Sequence, residues 1–361
     1  MAAEQNQLLV FVGSYAEKNE NGLNVYKCNE MSGELTAVSH SSNIKNPTFL
    51  NVDTDREILY SIAEAVNEEG KKIGEVVSFQ IDTATGELTL QSSQLTVNST
   101  TCHVQRDVDS RYLIVTSYHG GMIGLLQIEE DGSIGSLLDI QQHEGHSVDL
   151  EDQDKPHPHS SFYSPDGKYL FVSDLGLDRI ISYSLNKETN KLIRHNEVTL
   201  PGGSGPRHFV FHPNAKFAYA INELNSTITI FSYSQATGEL VIIESVSTLP
   251  DSCKDENSCA EITISKDGRF LYGSNRGHDS IVVFEVNERT GQLSTIQHIS
   301  VEGGHPRHFA LTPNGNFLIA ANRDTNNLVT FHVDADNGTL RFTGHSTEVS
   351  KPVCVIPAYF N

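Results

Sequence analysis

Two stretches of the sequence carry the same set of reactive side chains. "SGPRHFVFHPNAKFAYAINE" (204–223) places an Arg-His pair after a proline, then a turn, then an apolar run ending in Asn-Glu. "GHPRHFALTPNGNFLIAANR" (304–323) repeats the frame and ends in Asn-Arg. A third stretch, "KPHPHSSFYSPDGKYLFVSDL" (155–175), puts His157 and His159 ahead of a similar turn. An imidazole such as His159 titrates near neutrality and can take a proton from water. Glu223 can orient that imidazole or act as the base itself, which leaves two candidates for one role. The guanidinium groups of Arg207 and Arg276 can hold an anion through bidentate contacts and stabilise an oxyanion. Such a set suits hydrolysis of an activated ester such as a lactone.

Other chemistries lack their motifs. There is no G-x-S-x-G elbow, so Ser160 and Ser161 beside His159 have no hydrolase context. There is no H-E-x-x-H helix and no phosphate-binding P-loop. Gly202, Gly203 and Gly205 read as a connecting loop and not as a phosphate cradle. His157 and His159 could offer two zinc ligands with Glu223 as a third. The flanking arginines would repel the ion, so neither metal nor other cofactor is expected.

The elements that position these residues emerge from internal repetition. One turn signal recurs seven times: Gly33-Glu34-Leu35, Gly86-Glu87-Leu88, Gly132-Ser133-Ile134, Asn190-Lys191-Leu192, Gly238-Glu239-Leu240, Gly291-Gln292-Leu293 and Gly338-Thr339-Leu340. The copies lie roughly fifty residues apart. Gly and Asn accept the positive φ that hairpin turns need. Between the turns lie β-rich runs such as "LFVSDL", "AYAINE" and "LYGSNR", each followed by a second run such as "IISYSL", "TITIFSY" and "IVVFEV". Sustained helical periodicity is absent. About four short strands per repeat, repeated radially, predict an all-β seven-bladed β-propeller with four-stranded antiparallel blades. The first repeat lacks its innermost strand, and "KPVCVIPAYF" at the C-terminus matches one. That segment is expected to complete the first blade and close the ring, making residues 1–361 a single domain.

Aligning the repeats picks out two rings of equivalent positions. One holds Tyr15, Glu64, Tyr118, Leu175, Glu223, Arg276 and Arg323. The other holds Thr48, Cys102, His159, Arg207, Ala260, Arg307 and Val353. Both are expected to line one end of the central channel. His157, two residues before His159, is expected on the same strand face. Polar lining alone is ordinary in a wet channel. The arginine content exceeds that, because the chain has 25 Lys and Arg against 46 Asp and Glu, a formal net charge of −21. An arginine-rich pocket in so acidic a chain predicts a small anionic substrate. His157, Arg307, Arg323, Glu64 and Tyr118 are its candidate contacts.

The charge balance also argues against nucleic acid and anionic membrane as partners. No run of 18 apolar residues is present, so no membrane span is expected. The opening "MAAEQNQLLVFVG" lacks the pattern of a secretion signal. Five scattered cysteines suit a reducing cytoplasm, with Cys253 and Cys259 the one pair near enough in sequence to bridge. Nothing in the sequence specifies an oligomeric state.

The segments "KPHPHSSFYSPDGKYLFVSDLGLDRI", "GPRHFVFHPNAKFAYAINELNSTI" and "LYGSNRGHDSIVVFEV" resemble the lactonase family of seven-bladed propellers, and the likeness runs through nearly the whole chain. That family includes the propeller-type 6-phosphogluconolactonases and the fungal carboxy-cis,cis-muconate lactonizing enzyme. The resemblance implies a cytosolic hydrolase that converts 6-phosphogluconolactone to 6-phosphogluconate in the pentose phosphate pathway without a metal. Carried over, the H-x-H motif gives His159, G-P-R-H gives Arg207, N-E gives Glu223 and S-N-R-G gives Arg276. Two positions depart from the family pattern: Arg323, uncharged in many members, and Ser117, in a Thr-Ser-Tyr where Ala-Asn-Tyr is common. A cycloisomerase or lactonase for a carboxylated acid, and a non-catalytic binding propeller, remain alternatives at this point.

Overall fold

The computed structural model describes residues 7–360; residues 1–6, at the start of the segment read for a secretion signal, and Asn361 lie outside the described residues. The described residues form seven four-stranded antiparallel sheets, each an unbroken ladder of neighbouring strands. One short 3₁₀ turn, Leu175–Leu177, is their only helical segment. Blade 1 takes its innermost strand, Pro352–Phe360, from the far end of the sequence. That strand pairs antiparallel with Gln7–Ser14, from Gln7 opposite Phe360 to Ser14 opposite Pro352. The expected closure is therefore the one observed.

The burial of each strand follows from how the blades stack. In blade 5, every residue of Phe217–Asn222 is buried, on both faces of the sheet. The outermost strand, Glu239–Ser247, alternates between exposed and half-buried side chains. An inner strand is apolar on both sides because a neighbouring blade covers each side. Seven apolar clusters result, one at every junction. At the junction of blades 4 and 5, Phe171 and Ile180 meet Phe209, Ala220 and Phe231. Where the ring closes, Val10 and Val12 of blade 1 meet Ile319 and Leu328 of blade 7.

The recurring glycine turn has a second reason beyond its backbone angle. Gly338 has φ +73°, and a Cβ there would sit 2.3 Å from the Phe270 ring of the preceding blade. The buried Tyr272 hydroxyl of that blade donates to the Gly338 carbonyl at 3.0 Å. Tyr219 does the same to Gly291 and Tyr60 to Gly132. Each turn is thus locked onto the blade before it. Where Asn190 replaces glycine, φ is +53° and its side-chain oxygen accepts from Tyr112 at 2.7 Å.

One local irregularity decides what faces the channel. The innermost strands of blades 4, 5, 6 and 7 shift register near their starts, between Pro158 and Ser160, Pro206 and His208, Cys259 and Ile262, and Pro306 and His308. An extra residue in one strand of a pair is a β-bulge, and it re-aims side chains out of strict alternation. His159, Arg207 and Arg307 are such extra residues.

Candidate active site

A cavity of about 520 Å³ opens at one mouth of the channel. Ten of the fourteen ring positions picked out by repeat alignment line it, among them Tyr15, Glu64, Tyr118, His159, Arg207, Glu223 and Arg307. Leu175, Ala260, Arg276 and Arg323 do not. Arg276 nevertheless reaches the site through Glu223.

Glu223 sits between two arginines. Its Oε1 lies 3.0 Å from Arg276 Nη2 and its Oε2 lies 2.9 Å from Arg207 Nε. The Arg207 approach is off-line, so that contact is electrostatic and not an aligned hydrogen bond. The guanidinium groups are pinned from behind: Arg207 Nη1 donates to the Ala260 carbonyl at 2.7 Å, and Arg276 Nη2 to the Cys259 carbonyl at 2.5 Å. Burial pushes the Glu223 carboxyl up, but Arg276, Arg207 and Arg307 together pull it below its ordinary value. Burial and the two other guanidinium groups bring Arg207 down to about 9, still a cation at neutral pH.

Arg307 differs from its two neighbours. It lines the cavity and makes no ion pair or side-chain hydrogen bond among the described residues. Its one recorded contact of note is the Tyr15 ring, whose centroid lies 6.0 Å from the guanidinium carbon. Across the cavity Glu64 is held by Lys72 at 3.2 Å, Lys45 at 3.5 Å and Asn46 at 3.3 Å.

Two expected contacts are placed elsewhere. Arg323 turns to its own neighbour, with Nε 2.6 Å from Asp324 Oδ1, and is not part of the cavity wall. A carboxylate one residue away captures the side chain before it can reach inward. His157 does not share a strand face with His159, because the strand Pro158–Tyr163 begins after it and the bulge follows. Its ring stacks on Tyr118 at 4.2 Å, and Nδ1 bonds the Tyr118 carbonyl at 2.9 Å. It supports Tyr118 from behind. His157, His159 and Glu223 therefore do not converge as a zinc site would require. Among the described residues no group of three or more His, Cys, Asp or Glu is arranged to hold a metal ion. All five cysteines are free, so Cys253 and Cys259 are not bridged. The backbone amides of Gly203 and Gly205 point at the Asp178 carboxylate of blade 4, as a connecting loop. Ser117, the other departure, is buried and donates to the Thr100 carbonyl.

A third ring went unread in the sequence. One residue beyond the second ring stand Phe49, His103, Ser160, His208, Glu261, His308 and Cys354. Phe49, His208 and His308 form the cavity floor, with His103 and Glu261 packed against them. The His103 ring packs 4.2 Å from Phe49 and 5.7 Å from His208, and Phe49 lies 5.7 Å from His308. His208 Nδ1 is 3.0 Å from both oxygens of Glu261, and His308 Nε2 is 3.1 Å from Oε2. The signal was present as three histidines and a glutamate in register. Strict strand alternation argued against a second inward-facing residue, and in blades 5, 6 and 7 the bulge supplies it. Beyond the floor a wider cavity of about 1160 Å³ opens at the other mouth, lined largely by apolar and aromatic side chains such as Phe162, Phe209 and Phe309.

Burial holds the imidazoles of His103, His159 and His208 well below their ordinary pKa, and the nearby arginines add to it. His308 falls to about 4 for the same first reason. Burial pushes the Glu261 carboxyl the other way, upward.

Comparison with known proteins bears on this geometry. The family model described as "Lactonase, 7-bladed beta-propeller" matches residues 9–357. A 6-phosphogluconolactonase of Bacillus subtilis is 35% identical over 303 residues, covering 84% of each chain. One from Formosa agariphila is 35% identical over 310 residues, covering 84% of this chain and 86% of its own. The structure of a periplasmic gluconolactonase from Pseudomonas aeruginosa superposes with a TM-score of 0.90 at 29% identity, over 98% of this chain and 99% of that one.

Proposed function

From membership of the lactonase family of seven-bladed β-propellers, to which this chain belongs, we propose that it hydrolyses 6-phosphogluconolactone to 6-phosphogluconate, as a step of the pentose phosphate pathway in the cytoplasm. The relatives named for that activity support the substrate. The observation that carries the reading is the unpaired Arg307. Three guanidinium groups, Arg207, Arg276 and Arg307, surround one carboxylate, Glu223, so the site holds an excess of positive charge. An anionic group completes it. Arg307, flanked by Tyr15, would take the phosphate. Arg207 would meet the negative charge that develops on the lactone carbonyl oxygen, with Arg276 adding positive charge from behind Glu223.

Glu223 is occupied on both oxygens and held ionised, which suits a clamp for two arginines better than a base. The water proton then falls to an imidazole of the wall, and burial keeps these imidazoles in the neutral form that can accept it. No step calls on a metal. Free thiols throughout support a reducing compartment.

The test is hydrolysis of freshly prepared 6-phosphogluconolactone by purified protein, measured above the spontaneous rate. Wild type is expected to exceed background, and Arg276→Ala to lose about 10² to 10³ of the rate. Equal rates for wild type, Arg276→Ala and His159→Ala would favour a non-catalytic propeller. A second reading keeps the reaction and changes the ligand: the Pseudomonas relative is named a gluconolactonase, with no phosphate in the name. Preference for an unphosphorylated or carboxylated lactone in the same assay would support it.

A further inference from the structure

We infer that His208, oriented by Glu261 in the cavity floor, is the general base that activates water, and that Glu261 is its positioning residue. The inference rests on the lactonase reading and adds to it a dyad outside the set named by the resemblance.

The case is geometric. His208 lines the cavity, and its Nδ1 is committed to Glu261 at 3.0 Å. That leaves Nε2 as the ring nitrogen available to a reacting water. Glu261 is itself held firmly. Its Oε1 accepts from the Ile262 amide at 3.0 Å, and its backbone amide donates to Ser274 Oγ at 2.9 Å. On the far side His308 Nδ1 accepts from the Val355 amide at 3.3 Å. The proton of neutral His308 therefore lies on Nε2, 3.1 Å from Glu261 Oε2, an off-line approach that is electrostatic and not an aligned hydrogen bond. A carboxylate held by the Ile262 amide sets the tautomer of the imidazole it touches and stabilises the imidazolium that forms.

His159 lacks such support. Its Nδ1 is buried with no partner, and the charges nearest it are those of Arg207, Arg307 and Arg276. An imidazolium there would face three cations and no adjacent carboxylate. The groups packed around His208 are Phe49, His103, His159, Phe162 and Glu261, with His308 on the far side of Glu261, Arg207, Arg307 and Arg276 as the nearby cations and Glu223 as a further carboxylate acting at a distance. Glu261 is the one carboxylate in contact with it.

The step balances without a co-reactant. Water oxygen attacks the lactone carbonyl carbon as its proton passes to His208 Nε2. The ring carbon–oxygen bond then breaks, and the leaving ring oxygen takes that proton back. The open-chain carboxylic acid ionises to solvent, and His208 returns to its neutral form.

The test compares His208→Gln, Glu261→Gln, Glu261→Asp and His159→Gln of the full chain, with kcat, KM and the pH profile of kcat. His208→Gln is expected to lower kcat by about 10² to 10⁴ with KM changed only a few-fold. His159→Gln should cost at least about tenfold less in kcat. Glu261→Gln should lower kcat and move the acid limb of the profile to lower pH, because the imidazolium loses its counter-charge. Glu261→Asp should restore part of both. Wild-type kcat in His208→Gln would overturn the dyad, as would a larger loss in His159→Gln. So would a Glu261→Gln loss with an unmoved acid limb, since that is all a structural role predicts. The Glu261→Gln profile decides the matter if His208→Gln does not fold. Should wild type itself give no rate above background, the lactonase reading falls separately. The dyad is then read by proton NMR: a low-field His208 Nδ1–H resonance should vanish in Glu261→Gln, and its persistence would overturn the pairing.

Discussion

On the proposed reading, Arg307 is the residue on which substrate choice turns. Its two neighbours are neutralised in part by Glu223, while it meets only an aromatic face. Removing its charge should weaken a phosphorylated lactone and spare an unphosphorylated one. Arg307→Gln is expected to raise KM for 6-phosphogluconolactone by about 10- to 100-fold, the value of a charge-assisted hydrogen bond, with kcat changed little. Parallel steady-state assays on both lactones check it, and equal KM shifts on the two would move the phosphate elsewhere. At this scale the sequence was legible where a side chain's partner came from another repeat in the same alignment. Arg207, Glu223 and Arg276 were picked out as ring positions in this way, although the salt bridges of Glu223 to the two arginines were not. It was illegible where another side chain intervened. Asp324 draws Arg323 aside, and Tyr118 claims the ring of His157. Such competition depends on rotamers, which spacing does not encode.

Among the elements, the turn that locks each blade to the one before it is the unit of stability. Tyr272→Phe removes the bond to the Gly338 carbonyl and should cost about 1 kcal/mol. Gly338→Ala should cost more, because the added methyl meets Phe270 and φ is positive. Urea unfolding of both variants checks the order, and an alanine variant as stable as wild type would refute the account. The recurring turns made the blades readable from sequence, including the copy in which Asn190 stands for glycine. The bulges were not readable, since one extra residue in a short strand leaves no signal in composition or turn chemistry. They are the reason that three residues of the inward-facing layer, His208, Glu261 and His308, were hidden one position beyond the second ring.

For the molecule as a whole, the buried and half-buried histidines link folding to pH. His103, His159, His208, His305 and His308 all have pKa values lowered in the fold, chiefly by burial. Each is neutral in the fold at a pH where the unfolded chain would bind a proton. Their contribution is therefore complete above the ordinary value of 6.5 and drains away below it, with His305 and His308 themselves charging near 4. Glu223, also lowered, adds a loss of the same sign at more acid pH, whereas the raised Glu261 opposes it. Thermal denaturation should show Tm falling by several degrees between pH 7 and pH 5. A flat or rising Tm over that range would contradict the burial of neutral imidazoles. The ring itself was fully foreshadowed, because seven repeats with one displaced strand admit a closed arrangement that leaves no open edge.

The layer of Phe49, His103, His208, Glu261 and His308 also governs traffic. It stands between the charged chamber and the wider apolar one, so the molecule has two vestibules and not a corridor. A lactone must leave as acid through the doorway by which it entered. Product and substrate then queue for one berth, and the acid, which carries one more negative charge than the lactone, departs against the pull of the same arginines that drew its precursor in.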